Sequence, residues 1–176
     1  MQFKNVLPLT SIIALGGALF LSTSVFAAES KAMNPESEIH IDVPVKLKQA
    51  KAVFNMDHIA LAGNIPFGMK YMDLMSTRLK KKNVDLSIIS VFHGRAGYMT
   101  LNDQAYNAAQ HVTTGNPYKN MIKKLIDEGV QLEECAVTMK AKHWGNKDLL
   151  PGIKVNSGAI GRLVQLSQEG YTQIQP

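Results

Sequence analysis

The chain has 176 residues, one of them a cysteine, and its 19 Lys and Arg against 14 Asp and Glu give a formal net charge of +5. A single cysteine excludes an intramolecular disulfide, and this length leaves room for one domain and argues against a second. The basic balance, with a sequence pI near 9.3, raises nucleic acid as a partner, but the excess concentrates in Arg78-Leu79-Lys80-Lys81-Lys82 and in Lys119, Lys123 and Lys124, where a solvated helix face accounts for it.

Lys4 precedes an uncharged apolar run from Val6 to Phe26, the profile of a secretory signal peptide. Val25 and Ala27 supply small residues at minus three and minus one, so cleavage is expected after Ala27. A retained anchor is the alternative, but Pro8, Gly16, Gly17 and Ser22-Thr23-Ser24 dilute the run and no basic cluster follows it. The expected organisation is a signal peptide over 1–27, a flexible segment over 28–50 and one α/β domain over 51–176. Such a protein is periplasmic, with no stable membrane insertion after cleavage, and export removes nucleic acid from its expected partners.

The segment before the domain is polar, with Pro35 and Pro44, and offers at most a short extended piece at Ile39 to Val45. Lys51 to Met56 reads as a first strand. Asn64 as cap and Pro66 in the first turn predict a helix to about Lys82, with Phe67, Tyr71, Met75 and Leu79 on one face. Val84 to Phe92 is a nearly continuous apolar run, as in a buried parallel strand. A loop and a helix around Leu101 to Gln110 follow. Asn116 and Pro117 then open a helix striped by Tyr118, Met121, Ile122, Leu125 and Ile126, which Gly129 closes. Val130 to Val137 reads as a third strand, with a helical turn at Lys140 to Trp144 after it. Ile153 to Val155 is a brief fourth strand, Ser157 caps a last helix through Leu163 and Leu166, and Tyr171 to Ile174 is a fifth strand. This alternation predicts a three-layer α/β/α domain with a mainly parallel five-stranded sheet. Ligands then bind at the C-terminal strand ends, in the loops after Met56, after Phe92 and around Cys135 to Lys140.

Cys135 is the only strong soft nucleophile in the chain and sits near a predicted strand end. A helical turn after it, with Lys140, Lys142 or His143, favours a thiolate, whereas Glu133 and Glu134 oppose one if they lie close. The bland alternative is a buried strand cysteine acting as a small hydrophobe. His93, in VFHGRAGY, is either an acid, base or ligand, or a ring that fastens a strand end to its neighbour. Around these two, Asp57, Gly94, Met139 and His143 are the expected ligand contacts. Gly94 and Gly97 lack the spacing of a dinucleotide loop. His58, His93, His111, His143 and Cys135 show neither C-x-x-C nor H-x-x-x-H spacing, so no metal or other cofactor is expected. Met69, Met72, Met75 and Met121 fall on predicted helices as core, and Trp144 lines a site mouth or caps the core. A hydrolase using His93 with Asp57 or Asp103 has no nucleophile elbow behind it.

VFHG at 91–94, NPYKNMIKKLIDEGV at 116–130, ECAVTM at 134–139, DLLPGIKVNSGAIGRLVQLSQEGY at 148–171 and the closing Ile174-Gln175-Pro176 together resemble an exported DsrE/DsrF-like protein over roughly Lys51 to Pro176. The resemblance implies a compact parallel α/β sandwich and assembly into a homo-oligomer, a trimer or hexamer. In the sulfur-handling members it also implies a cysteine that carries sulfur as a persulfide, and Cys135 is the matching position. Export departs from the cytoplasmic relays of those members, which use dedicated partners. The leading expectation is therefore a periplasmic sulfur carrier that exchanges sulfur with a thiol or sulfur-relay protein partner, since no resolving cysteine is present. The rival is a non-catalytic small-ligand-binding or oligomeric assembly module in which Cys135 is structural.

Overall fold

The computed structural model describes residues 39–176; the expected signal peptide and its cleavage site lie outside them. A compact unit spans Val45–Pro176. Its first strand, β1 (Gln49–Met56), sends Ala52, Phe54 and Met56 into one apolar cluster and Val53 into another. Burial on both faces is what a central parallel strand requires. A two-residue hairpin, β2 (Leu61–Ala62) with β3 (Ile65–Pro66), leads into α1 (Phe67–Lys80). Asn64 is thus a turn residue beside Gly63, whose φ is +61°, and not the helix cap; Gly-Asn between two apolar pairs closes a hairpin more readily than it starts a helix.

The second sheet strand, β4 (Asp85–Phe92), pairs with β1 in parallel, Val53 beside Ile89 and Met56 beside Phe92. After it come a 3-10 turn at Ala96–Thr100 and α2 (Asp103–Gln110), capped by Asn102, whose Oδ1 accepts the Ala105 N–H at 2.9 Å. The helix α3 (Lys119–Asp127) buries Ile122 and Leu125. Asn116 stands before it at a junction: its side-chain amide donates to the carbonyls of Met99 and Leu101 at 2.8 and 2.5 Å, and its Oδ1 accepts the Tyr118 N–H at 2.8 Å.

The strand β5 (Gln131–Cys135) stops two residues short of the expected Val137, and α4 (Ala136–Lys142) begins at once. Pairing with β6 (Lys154–Asn156) ends at Cys135–Asn156, so Val137 has no ladder to join and is 61% exposed on the helix. The last helix, α5 (Ala159–Gln168), precedes β7 (Thr172–Ile174). Gly158, not Ser157, holds the cap position, and its N–H is taken by Asn156 Oδ1 at 3.1 Å. Residues 39–45 form no strand.

The five long-range strands run in the order β6-β5-β4-β1-β7, all parallel. Met69 and Met72 of α1 and Ile122 and Leu125 of α3 pack on the face carrying Phe54, Ile88, Phe92 and Leu132. On the opposite face Ala159, Leu163 and Leu166 of α5 pack with Val53, Ile89, Val91 and Cys135. The chain therefore folds as the three-layer α/β/α domain its pattern predicts. The connection through α5 carries the chain back across the sheet from β6 to β7, so the loop after β6 closes over the face that holds Cys135.

Candidate functional site

Parallel register fixes which side chains meet at the C-terminal edge of the sheet. Cys135 is the last residue of β5 and lies beside Asn156, the last of β6. On its other side Phe92 is level with Glu134, and the same register carried one residue further sets His93 beside Cys135. Met56 is level with Phe92, which sets Asp57 beside His93. Alternation then puts Asp57, His93, Cys135 and Asn156 in one row on the α5 face, adjacent strands being ~4.8 Å apart.

The Sγ of Cys135 accepts the backbone N–H of Ala159, the first residue of α5, at 3.3 Å. An N–H aimed at sulfur binds an anionic sulfur more strongly than a neutral one. Cys135 is nevertheless only 3% exposed, packed under the start of α5.

His93 is tied at both ends. Its N–H donates to the Met56 carbonyl at 2.9 Å and its Nε2 lies 2.7 Å from Asn55 Oδ1. Burial lowers the imidazole from its ordinary value and the charge of Asp57 partly restores it, so the ring is neutral near pH 7 and donates to Asn55 from Nε2. Asn55 passes the chain of bonds to Gln175 at 2.7 Å, and Gln175 to Asp57 at 2.9 Å. Asp57 also pairs with His58, and that bond leads the effects that hold its carboxyl below the usual range. Next in the loop, Gly94 takes φ +58°, and a Cβ there would meet the Asp57 carbonyl at 2.9 Å, which is why this position is glycine. The Gly94 N–H donates to Thr138 Oγ1 of α4 at 3.0 Å and so clips the loop after β4 to the helix after Cys135.

The two carboxylates before Cys135 part to opposite faces. Glu133 shares the Cys135 face and is gripped by Arg162 of α5, Nε at 3.1 and 3.0 Å and a terminal nitrogen at 2.9 Å, with Gln131 and Asn156 adding further bonds. Burial pushes its carboxyl up, but Arg162, Gln131 and Asn156 together outweigh that and leave it below the ordinary range. Its charge is thereby neutralised locally. Glu134 faces the other way, fully buried, with Thr100 Oγ1 donating to Oε2 at 2.9 Å and Oε1 unpartnered among the described residues. Burial pushes this carboxyl up to about 8, against weaker opposing effects from Thr100 and the Cys135 backbone.

The model of the DsrE/DsrF-like family matches residues 41–176. The chain belongs to the DsrE/DsrF-like family. Among solved structures, the fold is shared with a protein of unknown function, MTH1491 from Methanobacterium thermoautotrophicum, at 20% identity over 72% of this chain and 99% of that one, with a TM-score of 0.54. The ychN protein from E. coli matches at 15% identity, also over 72% of this chain and 99% of that one, with a TM-score of 0.48. No curated protein matches the chain.

Of the residues expected from sequence, the DsrE-like fold brings Cys135, His93, Asp57 and Gly94 to one edge. Met139 and His143 are not with them. Met139 is buried in a separate small core with Leu101 and Leu149, because one helical turn past Cys135 carries it toward α2. His143 ends α4 in the left-handed conformation and lines a cleft of about 400 Å³ with Tyr98, Lys142, Trp144 and Asp148. Trp144 stacks edge-on against Tyr98 there, both capping that core and lining the cleft. Sequence reasoning missed Asn55, Asn156, Arg162 and the Ala159 N–H. Asn55 carried a signal, being the one polar residue inside an otherwise apolar strand end; the others depend on which helix returns over Cys135. Among the described residues no three His, Cys, Asp or Glu side chains gather as metal ligands and no helix is long and apolar enough to cross a membrane.

Proposed function

We propose that the protein is a sulfur carrier in which Cys135 accepts sulfur as a persulfide and passes it to an external thiol. The observation that carries this reading is the hydrogen bond from the Ala159 N–H to Cys135 Sγ at the C-terminal strand edge, where parallel α/β sheets place their reacting groups. The thiolate attacks the outer sulfur of a polysulfide or persulfide. A new S–S bond forms at Sγ, the donor's own S–S bond breaks, and the donor leaves as a thiolate that takes a proton from solvent. Onward transfer repeats the exchange, the acceptor thiolate attacking the outer sulfur while Cys135 departs, with no net oxidation. Neutral His93, adjacent in the row, bears no charge that would hold the thiolate in a fixed ion pair. The signal-peptide profile of the apolar leader supports a periplasmic setting for this exchange. Family membership supports a homo-oligomer, a trimer or hexamer, working with a thiol-bearing partner because this chain has no second cysteine.

A structural cysteine is the second reading, favoured by its burial among Val53, Ile89, Val91, Leu163 and Leu166. Incubation of the reduced protein with polysulfide, followed by intact-mass spectrometry, separates the two. A stable gain of one sulfur that Cys135→Ser abolishes supports the carrier; a thiol that neither gains sulfur nor alkylates until the protein is unfolded supports the structural role.

A further inference from the structure

Glu134 is unused by the exchange just described, yet it is fully buried. It sits at the turn from β5 into α4, immediately before the sulfur-bearing residue. Thr100 donates to its Oε2, the backbone N–H of Cys135 interacts with the same carboxyl, and Gly97 lies so close that a Cβ there would meet Oε1 at 2.8 Å. No residue but glycine fits at 97 while this carboxyl stays in place.

Resting on the reading of Cys135 as the sulfur-bearing group, we propose that Glu134 is its positioning residue: a buried carboxyl, bonded by Thr100 and packed against Gly97, that fixes the strand-to-helix turn carrying the thiol and whose charge, when it ionises, opposes the thiolate. The charges around the pair leave Glu134 as the group free to act this way. On the Cys135 face, Glu133 is neutralised by Arg162, His93 is neutral, and Asp57, two strands away, is paired with His58. On the Glu134 face, the 3-10 turn contributes Gly97 and Thr100 and α4 contributes Thr138, none of them charged. Ionised Glu134 therefore brings an uncompensated negative charge one residue from the thiol. Burial pushes its carboxyl up to about 8, so this charge appears across the alkaline range, one residue from the thiol.

The test is the thiolate absorbance of the full chain in the ultraviolet, titrated against pH with a Cys135→Ser blank, for wild type and Glu134→Gln. The carboxamide keeps an oxygen for Thr100 and cannot ionise. The expected result is a wild-type titration broader than a single ionisation that sharpens to a single ionisation in the variant, with up to about tenfold more thiolate at a given alkaline pH, one pH unit of coupling. Curves that superimpose, or that differ by a constant factor at every pH, overturn the proposal. Polysulfide uptake is measured on the same samples. Absence of a sulfur adduct in both proteins refutes the carrier reading alone, because the absorbance still reports the coupling.

Discussion

Burying Glu134 has a thermodynamic consequence that can be read without any sulfur chemistry. A free glutamate ionises near pH ~4.3, whereas the folded chain raises this one to about 8. Below the lower value both folded and unfolded chains hold the proton and the neutral acid costs nothing extra. Between the two, the folded chain keeps a proton that the unfolded chain has released, so stability falls as pH rises, by about 1.4 kcal/mol per pH unit and roughly 5 kcal/mol in all. Above the folded value the loss is complete and the curve is flat. Glu134→Gln removes this slope. Urea midpoints followed by Trp144 fluorescence from pH ~5 to ~9 should show wild type losing stability relative to the variant across that window, at constant dependence on urea. His93 works in the opposite sense, since burial lowers it and its contribution, complete above the ordinary histidine value of ~6.5, is lost as pH falls below that value. Both proteins contain His93, so their difference isolates Glu134. Parallel curves, with the variant displaced equally at every pH, would refute the reasoning.

Arg162→Ala leaves the Glu133 carboxylate buried with only Gln131 and Asn156 as donors; the expected loss is about 2–3 kcal/mol at neutral pH. Because Glu133 is held below the ordinary range, its stabilisation exists above pH ~4.3 and disappears as pH falls, so the variant's thermal midpoint should respond less to acid than the wild type's. Asn116→Ala orphans the buried carbonyls of Met99 and Leu101 and should cost about 2–4 kcal/mol in the same urea assay; a loss below about 1 kcal/mol would mean that water replaces the amide.

Most of the fold was legible because its strands announce burial on two faces. KAVFNM is apolar at four of six positions and VDLSIISVF at six of nine, with apolar residues on both faces as a central parallel strand requires, and the helices between them carry single apolar stripes. The elements that went astray are those where local propensity and ladder geometry compete. Val137 and Thr138 are β-branched and extend the strand pattern on paper, but β6 is only three residues long and offers no partner beyond Asn156. Without hydrogen bonds to take, the chain turns into α4. The same shortness brings Cys135 to the end of its strand, under the loop that leads into α5.

The site was legible as far as chain position allows and no further. Strand ends point to Cys135, His93, Asp57 and Gly94, which share an edge. Helical positions do not reveal which face a side chain will reach, and Met139, one turn past Cys135, went to another core. The acidic pair illustrates the limit most sharply. Two consecutive glutamates in a strand must face opposite ways, and in a strand covered on both sides each must either find a cation or keep its proton. That much follows from Glu133-Glu134 alone. Which of the two ionises depends on where Arg162 lands, and that is decided by the return of α5 over the Cys135 face. Arg162 reaches Glu133, Glu134 keeps its proton, and the residue following them carries the sole thiol of the chain.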